Sequence, residues 1–235
     1  MKLGIMQPYF FPYLGYFDLI HYTDKWIVFD DVQYIRHGWI NRNRILHPLH
    51  SWSYIIVPVR HTREMPIREV TIADDGKWRK RILGQLQTYK KKAPQYRQVM
   101  ALMEECLACD ENLISHFNLF TLEKVCAYLG IHFDYAVFSQ MNLELEGIQE
   151  PGDWALRITQ ALGATEYANP PGGAALFDQD RFAASNIKLT IRNLPPLIYD
   201  CPDYTFIPHL SIIDVLMWNP VETIKDYLDQ HRHEG

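Results

Sequence analysis

At 235 residues, 48% hydrophobic and 22% charged, the chain has the composition of a globular protein with a sizeable core and not of a disordered one. A formal net charge of −5 excludes a general attraction to nucleic acid, so any site for an anion must be local. No apolar run approaches the length of a membrane span, and Gln7, Pro8 and Pro12 break the apolar start where a signal peptide would need continuity.

Residues 2–6 read as a buried strand and residues 13–23 as a helix carrying Leu14, Phe17, Leu19 and Ile20. A second short apolar run, 26–30, ends at two carboxylates, Asp30 and Asp31. Strand, turn, helix and strand within about thirty residues form the pattern of a βαβ unit with a parallel sheet. Residues 33–44 look like a long polar loop, 53–59 like a strand, and 67–73 alternate like another. The middle is helical: Pro94 separates 78–92 from 95–107, and Gly130 closes 111–129 in the position expected after a helix. Residues 132–138 return to strand, whereas 142–152, rich in Glu and Gly without periodicity, read as a linker or mobile loop. A helix over 154–162, a strand over 165–168 and the turn-like "NPPGG" of 169–173 follow. A helix over 178–184, a strand over 187–191 and two helices over 212–218 and 221–231 complete the chain. The expectation is a single α/β domain over 1–235, with a mainly parallel core sheet and a helical cap or insertion over roughly 76–130.

The four cysteines form no disulfide framework. Cys106 and Cys109 have a metal-like spacing, but no second pair answers them at a zinc-site distance, and both fall in a Leu- and Met-rich helical pattern. The pairs His47/His50 and His231/His233 lack the i, i+4 spacing of helical metal ligands. The reading is a reduced, cytoplasmic protein with no metal site.

In open α/β sheets, ligands bind at the carboxyl ends of strands, where loops converge and helix N-termini present unpaired N–H groups. Gln7 with Pro8, and Asp30 with Asp31, sit at two such ends. Between them, prolines and the rings of Tyr9 and Tyr13 could wall a pocket, and Gly15 could admit a ligand close to the backbone. For Phe10, Phe11 and Phe17 the other reading is an aromatic core cluster. Gln7 must find partners, as a turn brace or as a ligand reader.

The stretch from Asp30 to Arg44 crowds Gln33, Tyr34, Arg36 and Trp39 ahead of the run Asn41, Arg42, Asn43, Arg44. Guanidinium forks suit phosphate or carboxylate, and amides both donate and accept, so this run predicts an anion cradle facing the aromatic wall; a solvated loop with surface ion pairs is the other reading. Asp30 and Asp31 could read sugar hydroxyls, take a proton, hold a metal or simply satisfy nearby arginines. Gly172 and Gly173 offer bare backbone to a ligand, or merely a turn. His209 precedes a helix whose Ser211 and Asp214 resemble a capping box, and it could act as a general base. No G-x-S-x-G, Walker loop or G-x-G-x-x-G is present. The candidate catalytic groups are therefore Asp30, Asp31 and His209. The candidate binding groups are Gln7, Pro8, Tyr9, Tyr13, Gly15, Gln33, Tyr34, Asn41, Arg42, Asn43, Arg44, Gly172 and Gly173.

The segments "QPYFFPYLGYFDLI" (7–20), "FDDVQYIRHGWINRNRI" (29–45), "KKAP" (91–94) and "FIPHLSIIDVL" (206–216), with the start near Trp78, resemble the WbqC-like protein family over essentially the whole chain. The resemblance implies a role beside enzymes of O-antigen and other surface-glycan (lipopolysaccharide) biosynthesis. It points to a transferase on an activated or nucleotide-linked sugar, with acyl or aminoacyl transfer to an amino sugar as one form. A non-catalytic binder of a glycan precursor or nucleotide, supporting a partner enzyme, is the alternative. The expected substrate is a small anionic molecule; no resident cofactor is expected, the activating group arriving as a nucleotide or acyl donor. Where the family pattern leads to a YLSGxG-like segment, this chain has "YANPPGG" at 167–173, so the contact there differs. A fainter similarity links residues 8–20 to nucleotidylyltransferases, whose H-x-G-H signature would fall on Tyr13, Leu14, Gly15 and Tyr16. Tyrosines replace both histidines, which argues against adenylyl transfer by that mechanism while leaving a nucleotidylyltransferase-like or Rossmann-like fold open.

Overall fold

The computed structural model describes residues 1–232; residues 233–235, and with them His233, lie outside the described residues. β1 (Lys2–Met6) runs into α1 (Leu14–Tyr22) and β2 (Lys25–Val28), the strand–helix–strand start the sequence predicts. The chain then leaves the sheet for two antiparallel pairs, β3 (Arg42–His47) with β4 (Ser51–Ile56) and β5 (Val59–Arg60) with β6 (Thr71–Ile72). Helices α2 (Trp78–Gln85), α3 (Tyr96–Leu107) and α4 (Ile114–Leu129) follow, the last ending at Gly130 in the left-handed conformation that glycine adopts without strain. β7 (Tyr135–Val137), α5 (Asp153–Ala161), β8 (Glu166–Asn169), α6 (Gln179–Ala184) and β9 (Lys188–Ile191) return to the sheet, and α7 (Ile212–Trp218) and α8 (Val221–His231) finish it.

Five strands pair in parallel in the order β7-β2-β1-β8-β9. The chain builds outward from β1 through β2 to β7, then returns to lay β8 and β9 on the other side of β1. Both faces are covered, which is why the central strands carry continuous apolar runs such as Leu3–Met6 and Trp26–Val28. Trp26, Val28 and Ala168 pack in one core with α1, α4, α7 and α8, whereas Leu3, Ile5, Ile27 and Tyr167 pack in another with α5 and α6. Gly4 is required between β1 and β2: a Cβ there would lie 2.6 Å from the Trp26 ring. The helical insertion of α2–α4 joins the first core.

Several boundaries differ from the sequence reading, each for a physical reason. β3 begins at Arg42, inside the expected loop: Arg42, Arg44 and His47 stay partly exposed around buried Asn43, Ile45 and Leu46, so its start reads as loop. The expected strand 53–59 breaks near Pro58, which has no N–H for a ladder. Residues 67–69 form a 3-10 turn ahead of a two-residue β6, and the helix expected over 78–92 tightens to 3-10 geometry over 86–89. Ser211 caps α7 through the Ile213 N–H, but the Asp214 carboxylate accepts from the hydroxyls of Tyr89 (2.6 Å) and Tyr199 (2.5 Å) and does not close a capping box.

Candidate functional site

A cavity of about 1090 Å³ opens where the strand order reverses, at the carboxyl ends of β1 and β8. This is the place where a doubly wound sheet separates its loops and leaves a crevice.

The aromatic turn after β1 builds one wall. Pro8 and Pro12 have no N–H, and the turn's carbonyls are answered from outside it. Tyr16 donates to Gln7 O, and Asn118 Nδ2 to Pro8 O at 2.8 Å. Asn43 Nδ2 donates to both Phe10 O (3.0 Å) and Phe11 O (2.8 Å). Ser211 Oγ also reaches Phe11 O, and Ile212 N reaches Pro12 O. These bonds hold Phe11 at φ 39, a conformation that disfavours side chains. Phe10, Phe11 and Phe17 are buried in the core, whereas Tyr9 and Tyr13 line the cavity. Gly15 lies under the Tyr13 ring, which a Cβ would meet at 2.5 Å.

Polar groups on the wall come from several elements. The Gln7 side chain lines the cavity with no hydrogen-bond partner among the described residues. Burial raises the Tyr9 hydroxyl pKa, and it pushes Tyr13 up to about 12 with help from Tyr9 and Asp18, so both remain proton donors at neutral pH. Arg44 projects from β3 with its guanidinium 5.4 Å from the Trp39 ring and 5.3 Å from Trp52. One terminal nitrogen donates to His209 O at 3.4 Å, and the buried Nε has no partner. The N-terminus of α1 opens beside Tyr13 and Gly15 with no side chain capping it, a positive end of a helix dipole. His209, Gln33, Asn43, Gly172 and Gly173 also lie on the wall. The His209 ring meets the Tyr13 ring edge-on at 5.7 Å.

The remaining predicted residues are not on this wall, so the structure does not gather the whole predicted set into one cavity. Asp30 is 1% exposed, and its carboxylate accepts from Ser139 N (3.0 Å) and Ser139 Oγ (2.7 Å), tying β2 to the turn after β7. Asp31 is paired with Arg68 at 2.5 Å. Asn41 bridges the Tyr34 hydroxyl and Val57 O. Arg42 donates to His37 O and Gly38 O and lies 4.2 Å from the Tyr54 ring centre. Pro8 is buried, with its carbonyl on Asn118. The charges and amides that read as chemistry are here satisfied mostly by groups outside the predicted set: Ser139, Arg68 and backbone carbonyls.

Other parts of the wall have no local signature. Phe29, Trp154 and Phe177 form an apolar end, with Phe29 and Trp154 rings 5.5 Å apart. Asn169 closes β8 with its amide bonded to Tyr167 and Pro170. Arg192, after β9, holds Asp18 of α1 in a buried two-bond ion pair at 2.5 and 2.8 Å. Residues 148–151 roof the cavity, and Gly152 passes so close to the 171–176 turn that a Cβ would lie 1.9 Å from Leu176 O. Residues 142–152 read from the sequence as a linker or mobile loop, with no signal for this crossing.

A parallel sheet wound in both directions from β1, with a large cavity at the reversal, defines a doubly wound α/β protein. The chain belongs to the WbqC-like protein family, whose model matches residues 7–226. It is also similar to an uncharacterized protein of Mycobacterium tuberculosis, 30% identical over 236 residues that cover 97% of each chain. No solved structure matches it.

Proposed function

We propose that this protein is a transferase of surface-glycan assembly that binds an activated, nucleotide-linked sugar in the switch-point cavity. The observation that carries the reading is Arg44, whose guanidinium borders the cavity near the uncapped N-terminus of α1. A planar fork beside a positive helix end suits a phosphate or diphosphate. The Tyr9 and Tyr13 hydroxyls and the free Gln7 amide would read sugar hydroxyls, and the apolar end at Phe29, Trp154 and Phe177 would take an acyl or other nonpolar portion. Direct transfer between bound reactants needs mainly positioning and a base. Of the three predicted catalytic groups His209 alone lies on the wall, and Asp30 and Asp31 do not, which moves the proposed proton-transfer role to His209.

That same displacement favours a second reading, a binding protein that hands a glycan precursor to a partner enzyme. A thermal-shift panel of nucleotide sugars, acyl donors, ATP and amino acids separates the two. A ligand at a hundred times its Kd adds about 2.7 kcal/mol of stability. A binding hit followed by a product of changed mass supports the transferase, and loss of that product in His209→Gln assigns the base. Tight binding without turnover across donor–acceptor pairs supports the binder. No stabilisation by any phosphorylated ligand overturns both.

A further inference from the structure

We propose that the β3–β4 hairpin and its flanking loops are a docking surface for an anionic lipid bilayer, holding the cavity mouth at the membrane. This goes beyond the sugar reading and does not depend on it.

Between Asp31 and Glu64 the chain has no Asp or Glu, yet it carries five arginines and four histidines, in a protein of net charge −5. None of these arginines is in an ion pair among the described residues. Elsewhere Arg68, Arg79, Arg81, Arg181 and Arg192 each hold a carboxylate. The same segment supplies four of the seven large hydrophobic side chains exposed among the described residues: Ile35 (60%), Trp39 (36%), Leu49 (80%) and Ile56 (44%). Charge and apolar surface are thus concentrated together.

The strip is continuous. At the hairpin tip, exposed Leu49 neighbours His47 and His50, whose rings stack 4.9 Å apart. Along the outer face Arg44 lies against Trp52 and Trp39, and Arg42 against Tyr54, with Ile56 paired to Arg42 across the strands. At the far end are Ile35 and exposed Arg36, with exposed Arg60 ending β5 and exposed Arg63 in the loop after it, which packs on Tyr34 through His61. Ile35, Trp39 and Arg44 also line the cavity, so the strip borders its mouth.

Each basic residue near an anionic leaflet strengthens binding by about fivefold, and tryptophan and tyrosine favour the headgroup level. Leu49 and Ile35 decide between partners. A nucleic acid would use the arginines and the rings but gives exposed aliphatic tips nothing to stack on, whereas the headgroup–acyl boundary removes them from water. No helix among the described residues is long and apolar enough to cross a membrane, so the contact is peripheral.

The test is co-sedimentation of the full chain with phosphatidylcholine vesicles, with and without phosphatidylglycerol. Binding is expected only with phosphatidylglycerol, weakening as salt is added. Leu49→Asp, and separately Arg36→Glu with Arg63→Glu, should each lower the partition coefficient by about tenfold or more. Their thermal unfolding and any nucleotide-sugar stabilisation should match the parent, which keeps this test separate from that of the cavity. Absence of sedimentation at low salt, binding indifferent to these substitutions, or tighter binding to an RNA oligonucleotide or acidic peptide than to the vesicles overturns the proposal.

Discussion

Asn43 stands opposite Ile55 in the hairpin, yet its amide leaves the hairpin and donates to the carbonyls of Phe10 and Phe11. Its Oδ1 accepts the N–H of Arg44 at 2.8 Å. One 4% exposed side chain therefore fixes both the aromatic turn and the backbone that carries the cavity's arginine.

Asn43→Leu keeps the volume and removes all three bonds. Phe11 O retains Ser211, but Phe10 O and Arg44 N lose the partners described above. Unmade buried bonds cost about 1–3 kcal/mol each, so the variant should lose about 2–4 kcal/mol in urea denaturation. A loss below about 1 kcal/mol would show that the turn is held without it.

Arg44 and Arg42 are two residues apart and should behave differently. Arg44→Ala should abolish the stabilisation given by a phosphorylated ligand, and Arg44→Lys should restore little of it, because an ammonium lacks the fork. Arg42→Ala should leave ligand stabilisation in place, since its guanidinium is held by His37, Gly38 and Tyr54. Equal losses in thermal-shift titrations of the two variants would displace the anion site from Arg44.

Gly152→Ala places a Cβ against the Leu176 carbonyl, backbone against backbone. The roof must shift, at about 1–3 kcal/mol by analogy with overpacking. Ligand affinity should fall with stability, read by denaturation and by titration. Unchanged values in both would mean the loop relaxes freely.

Asp214 gives a pH signature. Burial raises its carboxyl to about 6, against the opposing hydrogen bonds from Tyr199 and Tyr89. The folded protein therefore keeps this proton where the unfolded chain, at about 3.9, has released it. The resulting stability is fully present below about pH 3.9 and is lost as pH rises through about 6, a change of about 3 kcal/mol. Asp214→Asn removes the titration, so its stability relative to the parent should rise across that window and level off above it. Urea denaturation of both proteins at about pH 4 and about pH 7.5 checks this; an identical difference at the two values would refute it.

The parallel strands were legible because burial on both faces leaves continuous apolar runs such as Trp26–Val28, and α4 because Gly130 marks its end. β3 was not, since Arg42, Arg44 and His47 stay half-exposed and hide the alternation. Gln7, Tyr9, Tyr13 and Gly15 could be placed near the cavity because strand ends and first helices converge in this class of sheet, and Arg44 because its guanidinium marked an anion site. Asp30 and Asp31 share that local position, but Ser139 and Arg68, distant in sequence, take up their carboxylates. Arg192, Trp154 and Asn169 reach the wall through the strand order, which no local pattern encodes.

The carbonyls of the opening turn are answered by residues 43, 118, 211 and 212. This turn is thus completed late in synthesis, because its partners lie up to 200 residues downstream. Contacts of such long separation form slowly, and their closure entropy is met before their bonds return anything. A nascent chain that stops before Ser211 holds an unfinished turn with the Phe11 and Pro12 acceptors open. A cavity wall with its turn complete is therefore a late product of synthesis. Release of successively longer chains, assayed for nucleotide-sugar binding, should show affinity appearing only after α7 has emerged.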